Sequence, residues 1–462
     1  MRQSTRIFPA LAAGIVAAAM LSAPASARAE GEIVHDAEYY VLEAQHGDEW
    51  AAEDVALRTK LEELRKKHGR PPNLIHVMWD DTAFGDVGSP AIQKVRGQTT
   101  PNINRLAEEG ILFTRMYTEV GCTPSRAAVV TGRHPIRNGM YNIGMLLESH
   151  GMRDEEVTMA EVLSKAGYNT AFYGKWHLGD IEESYPHNQG FDEAFFTGYN
   201  QILSLNTKLA EGANASIGLH EDMLPADPYK LDDSFVTKGW VMIAEGKKGE
   251  KAQQWGDNSH DTYMKIDPEA QKRTLDFIER SVKEGKPFYV ANWPNLTSFL
   301  PNPKKCAVAR SILQDGLQCN IDPFIAALIA KLEELDIADN TLIVAMADNC
   351  PMSHNPPPGL GMAETIFRGG KGDFLEGGVR VPAMAWWPGV ITPGQQVGDI
   401  VHEVDLFTTF ANLAGATQYL PTDRVIDGID QTALLLEGDT KSRRDYVFLS
   451  AGPKLGATGK GQ

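Results

Sequence analysis

The chain lacks an excess of positive charge: 44 Lys and Arg stand against 61 Asp and Glu, a formal net charge of −17. A surface of that sign repels nucleic acid and offers no general attraction to anionic polymers, so no nucleic-acid partner is expected. An apolar run of membrane-spanning length is also missing. The stretch from Ala10 to Leu21 is too short to cross a bilayer and no later segment is apolar for long enough, so membrane insertion is not expected. Cysteine is scarce, with only Cys122, Cys306, Cys319 and Cys350. In an oxidising compartment Cys306 and Cys319 are the pair that would bond, a question that spacing leaves open because geometry decides it. No internal repeat or low-complexity tract follows the first residues, which excludes a repeat architecture.

What remains is a chain of 462 residues, 42% hydrophobic and 23% charged, the composition of a soluble globular protein. That length suffices for one large α/β domain with a small appendage, or for two or three ordinary domains. Its 43 Gly and 26 Pro point to long, turn-rich connections. In residues 1–29, Arg2 and Arg6 precede the apolar run, and Ala25-Ser26-Ala27 or Ala27-Arg28-Ala29 offers a small-residue cleavage site before Glu30. This is a secretory signal pattern, and the expectation is an exported protein, periplasmic or secreted. The segment holds three arginines and no acids, so its removal would lower the formal charge from −17 to −20. It contains no cysteine, and lipid attachment is not suggested.

Residues 30–72 read as an N-terminal helical extension, with helical spacing from Glu49 to His68 and a stop at Gly69-Arg70-Pro71-Pro72. From Asn73 onward short apolar runs alternate with helical ones. Leu74–Trp79, Phe113–Val120, Asn169–Tyr173, Pro287–Trp293, Asn340–Ala347 and Val381–Trp387 read as strands. Pro101–Glu109, Ser125–Thr131, Val157–Ala166, Pro268–Glu284 and Pro323–Leu335 read as helical. That alternation predicts an α/β fold over residues 73–439, with a large, mostly parallel central sheet and helices on both faces. Ligands in such sheets sit at the carboxyl ends of strands. Asp80-Asp81, Cys122, Lys175-Trp176-His177 and Asp348-Asn349 each follow a strand, so four polar clusters should converge on one site. Residues 201–262 look irregular and are a candidate substrate-facing insertion.

Taken singly, these residues admit plain readings. A cysteine near a helix start is often a small buried hydrophobe or a dipole-activated thiolate, and adjacent acids after a strand often form a turn or cap. The specific patterns of rival chemistries are absent. Position 128 is Ala where a phosphatase-type thiolate loop wants Arg, Ser125 lacks the glycines of a hydrolase elbow, and no Gly-x4-Gly-Lys-Ser/Thr occurs.

The string Cys122-Thr-Pro-Ser125-Arg126 followed by Thr131-Gly132-Arg133 resembles the sulfatase signature. In that family a maturation enzyme oxidises the cysteine to formylglycine, whose hydrate is the nucleophile. Gly174-Lys175-Trp176-His177 resembles the block in which lysine binds sulfate and histidine bonds the hydrate. Arg368-Gly369-Gly370-Lys371-Gly372 with Glu376-Gly377-Gly378-Val379-Arg380-Val381-Pro382 resembles the loop whose lysine contacts the ester bridge. The resemblance runs from about Asn73 through His402–Leu406 and reaches Asp427–Asp430.

The resemblance implies catalytic residues Cys122, Arg126, Lys175, His177 and Lys371. It also implies a Ca²⁺ site, with Mg²⁺ as the alternative, formed by Asp80, Asp81, Asp348 and Asn349 and touching residue 122. Hard oxygen ligands suit either ion. The implied activity is hydrolysis of a small-molecule or saccharide sulfate ester, and the implied partner is the formylglycine-generating enzyme. Aryl, sugar and choline-type sulfates all stay open. The rival readings are a phosphate or phosphonate ester hydrolase on the same fold, and a degenerate relative that only binds sulfated ligands.

Two departures stand out. Relatives place a histidine for leaving-group protonation where this chain has Asn295 or Ser298, leaving Lys371 alone, a distant His220, His260 or His354, or a leaving group good enough to need little help. Cys350 stands where the family usually has Gly after Asp-Asn, and a disturbance of the neighbouring ligands is expected from it. Relatives also continue into a small C-terminal subdomain, so residues 440–462 are expected to be the start of an incomplete unit or a disordered tail.

Overall fold

Asn73–Trp79 carries no polar alternation, and all seven residues are buried. Continuous burial means that both faces of the strand are covered, the condition of a central parallel strand. The structure, a computed structural model, describes residues 32–144, 151–198, 243–257, 262, 265–295, 316–351, 365–438 and 441–450. Among these, the strands are β1 (Asn73–Trp79), β2 (Ile111–Tyr117), β3 (Asn169–Lys175), β4 (Glu193–Thr197), β5 (Ala244–Lys247) and β6 (Gln253–Gln254). They continue with β7 (Phe288–Trp293), β8 (Thr341–Ala347), β9 (Arg380–Trp386), β10 (Gln395–Val397) and β11 (Val401–His402).

They form one sheet in the order β10-β2-β9-β8-β1-β7-β3-β4-β5-β6, with β11 beside β2. β1 pairs in parallel with β7 and β8, and β3 with β7 and β4. β9 runs antiparallel to both β8 and β2. β2 therefore points the same way as β1, β3 and β8, and all four deliver their carboxyl ends to one edge. The large, mostly parallel sheet matches the sequence reading. The short edge strands β4, β5, β6, β10 and β11 were not legible, because runs such as Gln253-Gln254 are too brief and polar to show a period.

The helix read from Glu49 begins earlier, at Ala37, where the Asp36 carboxylate accepts the Tyr39 amide at 2.9 Å as an N-cap. Only Leu42, Leu57 and Leu61 of its 32 residues are buried, so most of its length carries no core-facing pattern to read. Gly69, at φ 69°, ends it as expected. Leu57 and Leu61 join the main hydrophobic core.

Residues 441–450 also lie against this body. Arg443 Nη2 donates to Asp54 at 2.6 Å, and Tyr446 Oη to Asp36 at 2.7 Å. Buried Arg444 donates to Asp405 Oδ1 at 2.6 Å and to the Asp427 carbonyl at 2.7 Å. No described helix is long and apolar enough to cross a membrane.

Candidate active site

The clusters at the carboxyl edge meet as a hydrogen-bonded group. Asp80 and Asp81 directly follow β1, Lys175 ends β3, and Asp348 and Asn349 directly follow β8. Cys122 opens the Cys122–Thr131 helix after β2, every residue of which is buried. Two glycines make these approaches possible. A Cβ on Gly174 would lie 2.0 Å from the Trp293 carbonyl oxygen, and one on Gly378 would lie 2.2 Å from that of Asp373. Only glycine lets β3 and the Lys371 loop close that far.

Arg126, one turn into the helix, holds the group together. Its Nη2 donates to Asp348 Oδ2 at 2.9 Å and to Asp80 Oδ1, and its Nη1 donates to the Lys175 carbonyl at 2.7 Å. Its guanidinium lies 5.1 Å from the Trp293 ring centroid, a cation–π contact that the sequence did not announce. Lys175 Nζ donates to Asp80 Oδ2 at 2.7 Å. Lys371 Nζ donates to Asp81 Oδ1 at 2.6 Å and lies 2.8 Å from Cys122 Sγ. Asn349 Nδ2 reaches Asp81 Oδ1 at 2.5 Å.

Three cations and three carboxylates are thus buried together inside an acidic protein. Burial alone would raise the Asp80 carboxyl, but Lys175 and Arg126 hold it below the usual carboxylate range. For Asp348, burial and the neighbouring Asp80 charge win, pushing its carboxyl up to about 6. Burial works against the charge on Lys371, yet Asp81 and Cys122 raise its pKa well above the ordinary lysine value. Burial and Asp348 push the Cys122 thiol up to about 12. The thiolate reading is therefore disfavoured, since a reactive thiolate needs the opposite shift.

His177 follows Lys175 by two residues and feels the charges of this group. Burial, then Lys175 and Arg126, hold its pKa well below 6.5, so the ring is neutral. Its Nε2 faces the Gly144 carbonyl at 3.0 Å, and the Gly144 amide donates to Thr123 Oγ1 at 2.9 Å, which couples the ring to the residue beside Cys122. His177 and Asp81 both have positive φ, 60° and 45°. Such backbone strain in non-glycine residues clusters at functional sites.

The donor set fits a divalent cation. One atom each from Asp80, Cys122 and Asp348 lies within 4.8 Å of the others. Asp81 Oδ2 and Asn349 Oδ1 are buried without a hydrogen-bond partner, the state of oxygens that await a ligand.

The sulfatase family model matches residues 72–293 and 310–416. Human N-acetylgalactosamine-6-sulfatase is 32% identical over 405 residues, covering 85% of this chain and 71% of that protein. This chain belongs to the sulfatase family. Human arylsulfatase A is 33% identical, with 82% and 70% covered. The PsFucS1 sulfatase from Pseudoalteromonas sp. superposes with a TM-score of 0.74 at 33% identity, covering 85% of this chain and 77% of that one. The protein is accordingly a sulfuric ester hydrolase with an alkaline-phosphatase-like fold.

The two departures from the sulfatase pattern resolve differently. Cys350 does not turn toward the acids: its Sγ donates to the Arg380 carbonyl at 3.0 Å, while its own carbonyl accepts Asn349 Nδ2 at 2.8 Å. The thiol is thus directed at β9 and not at the acids. On the leaving-group side, Asn295 is buried and its amide donates to Asp267 Oδ1 at 2.7 Å. Ser298, His220, His260, His354 and most of the 201–262 segment lie outside the described residues. Cys319 is disulfide-bonded; Cys306, its expected partner, also lies outside them.

Proposed function

We propose that this sulfatase acts through a formylglycine at position 122 and a divalent cation, Ca²⁺ by preference, against the sulfate ester of a saccharide. The observation that carries this reading is the placement of Cys122. It is fully buried at a helix start, 2.8 Å from Lys371 Nζ and within 4.8 Å of the Asp80 and Asp348 carboxylates. A formylglycine there supplies a hydrated aldehyde hydroxyl as the nucleophile. Asp80, Asp81, Asp348 and Asn349 would hold the cation, which supplies Lewis-acid neutralisation of the sulfate oxygens.

The chain's own residues do the rest. Arg126 fixes Asp80 and Asp348 and keeps both carboxylates aimed at residue 122. Lys175 and Lys371 place ammonium groups at the charge that develops on oxygen, in a site closed to water where such charges act strongly. Neutral His177, held through Nε2 by the Gly144 carbonyl, is the imidazole that would bond the hydrate on residue 122. Among the described residues Lys371 is the protonated group touching residue 122, and it assists the leaving alkoxide. The signal pattern supports export, which suits a maturation enzyme acting on residue 122 before folding completes. The saccharide choice is supported by the relatives named N-acetylgalactosamine-6-sulfatase.

Two measurements test this. Mass spectrometry of the peptide spanning residue 122, from protein made beside a formylglycine-generating enzyme, should show the aldehyde in place of the thiol. Turnover of nitrophenyl sulfate should exceed that of nitrophenyl phosphate, and a sulfated monosaccharide panel should give the higher kcat/KM. An unmodified thiol in active protein would overturn the mechanism.

A further inference from the structure

The helix that carries residue 122 is flanked by a second buried polar cluster that the reaction does not use. Glu119 lies just before the helix, His134 just after it, and His402 ends β11. Their exposures are 0%, 1% and 0%. His134 Nδ1 is 2.9 Å from Glu119 Oε1, and the two imidazoles meet edge to face with centroids 5.2 Å apart. A fourth member, Glu403, is fully buried and accepts the Glu119 amide at 2.9 Å.

Each of these residues keeps one side-chain atom without a hydrogen-bond partner in the described structure: Glu119 Oε2, His134 Nε2, His402 Nε2 and Glu403 Oε2. Buried polar atoms are rarely left so, and four in one place call for a missing partner. Ser450 and Ser125 face the Glu119 and Glu403 carboxylates, yet neither glutamate is in an ion pair with any described Lys or Arg; Glu119 pairs only with His134. The cluster therefore gathers buried carboxyl and imidazole groups with no described Lys or Arg in ion-pair contact.

We infer that Glu119, His134 and His402 form a second metal site, distinct from the one at Asp80 and Asp348, which takes a divalent transition metal of the Zn²⁺ type. One ligand atom from each of the three lies within 4.8 Å of the others, and atoms bound to one metal at about 2.0–2.2 Å fall inside that spacing. Two imidazoles with one carboxylate select transition metals over Ca²⁺, whose ligands are oxygens. A metal shared by Glu119 and His134 would take the place of their present contact at Nδ1, the ring nitrogen that faces the carboxylate. On His402 the Val404 amide donates to Nδ1 at 3.3 Å, so metal binding through Nε2 requires the other tautomer, with that long contact given up. With Glu119 before the helix and His134 after it, the ion would tie both ends of the nucleophile-bearing helix to β11. The site is closed to solvent, so loading accompanies folding.

The test measures metal, not turnover, so its failure is independent of the proposed chemistry at residue 122. Full-length protein from zinc-supplemented culture, dialysed without chelator, should carry about one transition-metal equivalent per chain by plasma mass spectrometry. Protein made in Co²⁺ medium should show the visible d–d absorption of a low-symmetry cobalt site. His134→Asn and His402→Asn should lose that metal and that band while Ca²⁺ content is unchanged; Asp348→Asn should do the reverse. Wild-type protein with neither the metal nor the cobalt spectrum would overturn the proposal, leaving a proton-sharing network. So would retention of the metal in both histidine variants. The wild-type cobalt spectrum decides even where a histidine variant fails to fold.

Discussion

Arg126→Met is the sharpest perturbation the structure offers. The guanidinium is fully buried and makes three hydrogen bonds, to Asp80, Asp348 and the Lys175 carbonyl, beneath the Trp293 ring. Methionine keeps most of the volume and removes the charge. Asp80 retains Lys175 at 2.7 Å, but among the described residues the Asp348 carboxylate keeps only the Asp81 amide at 3.2 Å. Breaking a buried ion pair in this way costs about 3–5 kcal/mol.

An unfolding entropy of about 2.1 cal/mol/K per residue over roughly 430 residues gives about 0.9 kcal/mol/K, so Tm should fall by about 3–6 °C. Loss of the oriented carboxylates should also lower kcat for nitrophenyl sulfate by about 10²–10³, the scale for one electrostatic element of an active site. Arg126→Lys should recover less than half of either loss, because an ammonium cannot span all three acceptors of the planar fork. Calorimetry and steady-state kinetics on the three proteins decide the matter. A methionine variant within 1 °C and threefold of wild type would refute the view that Arg126 organises the site.

Three further outcomes are expected. Lys371→Met removes the ammonium beside residue 122 and should cut kcat by about 10²–10³, with circular dichroism unchanged; an effect confined to KM would place Lys371 in substrate binding alone. Arg444→Met breaks the buried pair with Asp405 and should lower Tm by about 3–6 °C while kcat stays within about twofold, since Arg444 bonds Asp405 and the Asp427 carbonyl and none of Asp80, Cys122 or Asp348; calorimetry with kinetics separates the two. His76 is fully buried on β1 and burial, with Arg126, lowers its pKa to about 3, so its neutral ring contributes stability that is present above the unfolded pKa near 6.5 and is lost as pH falls toward 3. His76→Leu should therefore make the stability difference between pH 7 and pH 5.5 smaller by about 1 kcal/mol in urea titrations, and an unchanged slope would mean that the ring protonates in the folded state.

The carboxyl-edge convergence was legible because α/β alternation carries a geometric rule: parallel strands deliver their ends to one side. Asp80, Lys175 and Asp348 could be placed together from that rule alone, far apart as they are in the chain. Cys122 was legible from its neighbours Pro124, Ser125 and Arg126. The second cluster was not, although His134, His402 and Glu403 are visible residues, since nothing in local spacing pairs position 119 with position 402. The start of the Ala37–His68 helix was missed because so few of its residues face the core, and β9 gave no sign that it runs against its neighbours.

The sequence by itself determined the chemistry on offer: a signature cysteine, acids and amides after strands, and lysines in glycine-rich turns. These follow from local patterns, which short-range backbone physics reads directly. Only the tertiary structure decided which of those groups are paired. It set Arg126 between two carboxylates, turned Cys350 away to a β9 carbonyl, buried the Cys122 thiol beside Lys371 and left four polar atoms unpartnered near the Cys122–Thr131 helix. Pairing and burial are long-range outcomes of the sheet order, and they fix charge and protonation, which no linear spacing encodes.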